Sequence, residues 1–163
     1  MYKTHHDALV RLLYRRTGDR ERAEDLAQEV FLKALEAPPQ EAKPWLFAVA
    51  LNLARDEGRR NVRQARHLEL LKGESADAAA PAPDADIEQH EQRMLVHSAL
   101  DQLAEQDRAA LLMKAEGLNY DEIAAALGLA KGSIGTTLAR ARRRLVEAYR
   151  ERERGKGARD GPR

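Results

Sequence analysis

Apolar side chains recur along this chain with a helical period, and no stretch alternates apolar and polar residues as a strand would. Leu9, Leu12 and Leu13 share one side of a short helix over 7–16, which Thr17, Gly18 and Asp19 end. A longer helix is predicted over 20–36. Its Ala23, Leu26, Ala27, Val30, Phe31, Ala34 and Leu35 repeat as one buried face. Pro38 and Pro39 stop it, and Pro44 suits the first turn of a third helix. There Leu46, Val49, Ala50, Leu53 and Ala54 point inward, while Trp45 reads as core beside Leu46. This helix turns basic as it proceeds, through Arg55, Arg59, Arg60, Arg63 and Arg66. Three helices with short connections make a small bundle.

The pattern resumes after an interruption. A helix over 88–103 places Val96, Leu100 and Leu103 inward, and Asp107 is positioned to cap the next helix, which Gly117 ends. From Asn119 to Leu145 two helices are joined by a tight turn. Asn119 and Glu122 have capping-box spacing, and Gly128 falls where a left-handed residue closes a helix. The second helix begins near 131–133 and buries Ile134, Leu138, Ala141 and Leu145. Its other face carries Lys131, Ser133, Thr136, Thr137, Arg140, Arg143 and Arg144. This is the pattern of a helix-turn-helix, whose second helix enters a DNA major groove. An ordinary hairpin with a solvated basic face is the alternative. The expected fold is all-α, in two small helical domains.

Charge changes the picture more than composition does. The net charge of the 163 residues is only +1. Yet residues 1–72 hold 14 basic and 11 acidic side chains, 73–90 hold none and 5, and 91–163 hold 14 and 11. Two mildly basic blocks, 1–72 and 91–150, therefore flank an acidic Ala/Pro connector over 73–90, which reads as a flexible linker. Its central 14 residues, 73–86, span about 50 Å when extended. The tail over 151–163 is charged and Gly-rich, and is expected to be disordered. No cysteine is present, which excludes disulfides and thiolate metal sites and fits a cytoplasmic protein. No run of apolar residues is long enough to span a membrane, and no signal peptide is expected.

Four segments in this order, EDLAQEVFLKALE (24–36), PWLFAVALNLARDEGRR (44–60), LDQLAEQDRAALLMK (100–114) and LNYDEIAAALGLAKGSIGTTLARARRRL (118–145), resemble the extracytoplasmic-function sigma factors of bacterial RNA polymerase. The resemblance implies an initiation factor with two helical domains. The first recognises and opens the promoter's minus-ten element, the second reads the minus-thirty-five element, and both hold the polymerase core. It assigns Asp25, Gln28 and Glu29 to core-polymerase binding, where a charged face can steer a basic partner helix. It assigns Asn52 to a minus-ten base taken out of the stack, a role that an amide's paired donor and acceptor suit. Arg55, Arg59 and Arg60 follow as phosphate contacts. Lys131, Ser133, Thr136 and Arg140 become readers of the upstream element, with Arg143 and Arg144 on phosphate. Gly135 and Thr137 stand where many members carry basic residues, and Ala130 where many carry a hydroxyl or Pro. An anti-sigma factor is a further partner that the resemblance brings, although no residue here identifies one.

Two other functions fit parts of the pattern. A helix-turn-helix repressor would bind a palindrome without polymerase, and leaves 24–60 unexplained. An adaptor would bind polymerase without promoter specificity. An enzyme fits least: His5, His6 and Asp7 complete no ligand set, His67, His90 and His97 are isolated, and no nucleophile–base pair or phosphate-binding Gly loop is present. No cofactor or metal is expected.

Overall fold

A computed structural model describes residues 2–72 and 87–159, all helical but for short turns. The helices are α1 (Tyr2–Thr17), α2 (Arg20–Glu36), α3 (Ala42–Lys72), α4 (Ile87–Asp101), α5 (Glu105–Ala115), α6 (Tyr120–Leu127) and α7 (Lys131–Arg159). Most of the expected connector lies outside the described residues, and its last positions, from Ile87 on, already belong to α4. Among the described residues, no helix is long and apolar enough to cross a membrane.

The first unit, α1–α3, closes around the predicted stripes. Leu9, Leu12, Leu13, Val30, Leu46 and Phe47 are fully or almost fully buried, each contributing about 2 kcal/mol of apolar burial. Asp19 caps α2, accepting from the Arg22 amide at 3.2 Å. One position departs from the stripe: Leu35 is 78% exposed. It lies at the edge of the apolar arc, and α1 and α3 cover only the centre, through Ala27, Phe31 and Ala34.

In the second unit α7 is the spine, with α4, α5 and α6 packed along it. Ile123, Ile134, Leu138 and Ala141 are buried as the pattern predicts. Val96 is not: it is 42% exposed, on the rim of a groove shared with Leu145, Val146 and Tyr149. Over 151–159 the expected disorder gives way to helix, while the rest of that tail, 160–163, lies outside the described residues. Helix α7 continues through Arg159, with α4 beside it and Lys156 paired with Glu91.

The two units pack together, α6 on α3 and α1 against α5, and their buried side chains form one apolar cluster. Charge closes the seam. The Glu116 side chain, only 3% exposed, accepts from Arg11 Nε at 3.1 Å and Arg15 Nη1 at 3.2 Å. Lys43 Nζ lies 3.4 Å from Glu122, and Arg16 3.5 Å from Glu105. At Gly18 the chain turns with φ of +75° under the His97 ring, where a Cβ would come within 3.3 Å of Nε2. Both backbone and space therefore favour glycine there.

Candidate nucleic-acid interface

The residues singled out from sequence fall on three helices. On α2, Asp25, Gln28 and Glu29 are exposed side by side. Arg22 lies 3.8 Å from Asp25 and also pairs with Glu57 of α3, so this face is tied to its neighbour. The same stripe continues through Leu32, 61% exposed, and Leu35. The face is therefore acidic at one end and apolar at the other. Its apolar end was legible in the i, i+3, i+4, i+7, i+10 spacing from Asp25, but Leu35 also fits the edge of the buried stripe.

Helix α3 brings Asn52, Arg55, Arg59 and Arg60 onto its outer side. Leu51 and Ala54 anchor this stretch in the core, leaving Asn52 exposed. Arg55 is half-buried, 3.7 Å from Asp56. Arg59 and Arg60 are exposed, without an acidic partner among the described residues. Trp45 is half-buried against the core, as expected.

The helix-turn-helix forms by the predicted devices. Asn119 Oδ1 accepts from the Glu122 amide and Glu122 Oε2 from the Asn119 amide, both at 2.8 Å. Gly128 is left-handed at φ +67°, and the Leu129 amide donates to the Ala124 carbonyl at 2.9 Å. Helix α7 then starts at Lys131, which pairs with Asp121 at 3.1 Å. The Ser133 hydroxyl donates to the Ala130 carbonyl at 2.8 Å, and Thr136 is exposed. The buried Thr137 hydroxyl donates to the Ser133 carbonyl at 2.8 Å, so Thr137 serves the helix rather than its outer face. At Gly135 a Cβ would meet only Tyr120, at 3.7 Å, so packing within this chain does not demand glycine.

The basic end of α7 is divided. Arg140 Nη2 donates to Asp107 Oδ1 at 2.7 Å and its Nε to Oδ2 at 3.2 Å, while Arg144 Nη1 reaches Oδ2 at 3.3 Å. Asp107 is 1% exposed. It does not cap α5 as expected: Ala104 holds the cap position without a side-chain bond, and the Asp107 carboxylate serves α7 instead. The Arg140 hydrogen bond holds the Asp107 carboxyl below the usual carboxylate range, and the same bond raises Arg140. Arg143, between them in sequence, is exposed and forms no ion pair among the described residues. The pairing could not be read from spacing, because 33 residues separate Asp107 from Arg140.

These surfaces sit within two recognisable regions. Family models for Sigma-70 region 2 and Sigma-70 region 4 match residues 1–64 and 93–145. Two-region helical proteins of this kind are transcription initiation factors. The chain is 35% identical to the ECF RNA polymerase sigma factor EcfG of Rhodopseudomonas palustris, over 79% of this chain and 72% of that one. It is 32% identical to the ECF RNA polymerase sigma factor SigE of Mycolicibacterium smegmatis, over 89% of this chain but only 58% of that longer protein. A crystal structure of the sigma factor RpoE with the anti-sigma factor NepR, from Bartonella quintana, superposes with a TM-score of 0.61 at 26% identity, covering 89% of this chain and 91% of that one. The chain belongs to the extracytoplasmic-function family of RNA polymerase sigma factors.

Proposed function

We propose that the chain joins the core RNA polymerase, directs it to promoters, opens the DNA and initiates transcription of a specific regulon. The observation that carries this reading is the pairing of an exposed acidic and apolar stripe on α2 with an exposed Asn52 and unpaired arginines on α3, in the same small bundle. In this reading Asp25, Gln28, Glu29, Leu32 and Leu35 meet a polymerase helix. Asn52 holds a displaced minus-ten base by its edge, and Arg55, Arg59 and Arg60 neutralise phosphates. Lys131, Ser133, Thr136 and Arg140 face base edges of the minus-thirty-five element, with Arg143 and Arg144 toward the backbone. Arg140 and Arg144 do so while anchored on Asp107, which limits where their remaining N–H groups can point.

The chain supplies recognition, and the chemistry of RNA synthesis belongs to the polymerase in the cytoplasm. Reading both elements at once requires the units to part, because about 25 base pairs of duplex run roughly 85 Å, whereas α6 lies directly on α3. An anti-sigma partner would act by holding the chain from polymerase. Run-off transcription with purified core polymerase and genomic promoter fragments tests the reading. Defined starts that depend on this chain are expected; core binding without start selection would leave an adaptor, and DNA binding only without polymerase a repressor.

A further inference from the structure

The basic character of α3 does not end with the residues assigned above. From Gly58 to Leu68 the helix carries Arg59, Arg60, Arg63, Arg66 and His67 and no acidic residue. It leaves the core at this point: Ala54 is its last buried residue, and every side chain from Arg59 to Leu68 is exposed. Among the described residues, the segment from Arg59 to Leu68 is thus an arm that stands outside the core.

Its arginines are aligned. Asn52, Arg55, Arg59, Arg63 and Arg66 lie within about 80° of one another around the helix axis. The stripe that starts at the base-reading amide runs on to Arg66, about 21 Å along the axis, or roughly six base-pair steps. The acids that precede the arm are already engaged, Asp56 with Arg55 and Glu57 with Arg22; the next acid along the chain, Glu69, follows it. Neither Arg63 nor Arg66 has an acidic partner among the described residues. Arg55, Arg59 and Arg63 are spaced i, i+4, so the like charges repel along the helix. From Arg59 on, the row has no acidic partner among the described residues, and a polyanion would relieve its repulsion.

We propose that Arg63 and Arg66 form an additional DNA-binding segment, which grips duplex phosphates immediately upstream of the minus-ten element. The inference rests on the sigma-factor reading for its register on the promoter, but not for its chemistry. The arm extends to the end of the Sigma-70 region 2 match and past it, since that match closes at residue 64.

The test uses holoenzyme made from core polymerase and the full chain, with Arg63→Gln/Arg66→Gln and the charge-preserving Arg63→Lys/Arg66→Lys. On a promoter fragment that yields run-off product, the glutamine pair should lower the slope of log K against log salt by about 2. It should also shorten protection upstream of the minus-ten element by roughly six base pairs, while the lysine pair keeps the wild-type slope. Binding to a single-stranded minus-ten oligonucleotide should not change. An unchanged slope overturns the proposal, as does an equal loss on the single strand. Loss of core binding with normal salt dependence overturns it too, since the arm would then meet protein. If the wild-type chain starts no transcription, the sigma reading fails first, and binding of the full chain to a 20-base-pair mixed-sequence duplex decides the arm. A slope about 2 steeper for wild type than for the glutamine pair upholds it, and equal slopes refute it.

Discussion

The arginines of α7 and those of α3 look alike in sequence and differ in what has claimed them. Arg140 and Arg144 converge on one buried carboxylate, Asp107, and so hold α5 against α7. Arg59 and Arg60 stand in solvent with no carboxylate in reach among the described residues. A buried ionised carboxylate that loses its partners pays its full desolvation penalty, so the Asp107 pair is bound to the fold's stability. The α3 arginines carry no such duty. Charge alone therefore does not mark a nucleic-acid contact; whether a guanidinium is already neutralised at home divides the two sets.

The sharpest way to break this contrast is Asp107→Ala. It should destabilise the full chain by about 2 kcal/mol in denaturant titration. An unaltered midpoint would put Arg140 and Arg144 with the free set. The contribution has a pH signature. The folded carboxyl titrates below its unfolded value, so its stabilisation is complete above the ordinary carboxylate range. It is lost as pH falls through that range toward the depressed folded value. Asp107→Asn should flatten that acid limb of the stability curve. Next comes Glu116→Ala, which removes the acceptor shared by Arg11 and Arg15. The expected loss is about 1.5 kcal/mol of inter-unit docking, read as increased amide exchange along the α1–α5 seam while each unit keeps its helices. On α7, Gly135→Ala should gain about 1 kcal/mol, because helical glycine is costly and the added methyl meets only Tyr120. A gain in stability with a loss of upstream DNA binding would show that DNA, rather than the fold, requires the glycine. The smallest change in stability, within about 0.5 kcal/mol, is expected for Arg59→Gln/Arg60→Gln. That pair should nonetheless lower the salt slope of promoter binding by about 2.

Local rules made much of this molecule legible in advance. The stop at Pro38, the Asn119–Glu122 box, the left-handed Gly128 and the buried Ile134, Leu138 and Ala141 each depend on residues a few positions apart, and all take their expected form. What failed depended on a third element. Leu35 has the right period, but among the described residues no helix covers it, and Val96 meets α7 only at the rim of a groove. Asp107 has the right spacing for a cap and is taken instead by arginines from α7. The end of α7 is too polar to declare itself and is helical beside α4. At the candidate site the sequence pattern named the helices that carry the polar and basic residues. It could not sort those residues into the paired and the free, because that depends on partners distant along the chain.

Helix α7 begins at the turn of the helix-turn-helix and, over its 29 residues, extends about 43 Å, with α4 lying beside it. Among the described residues it has no break. The end that bears Lys131 and the end that seats α4 consequently behave as one rod. Re-aiming the head must swing α4, and with it the point where the described chain resumes at Ile87.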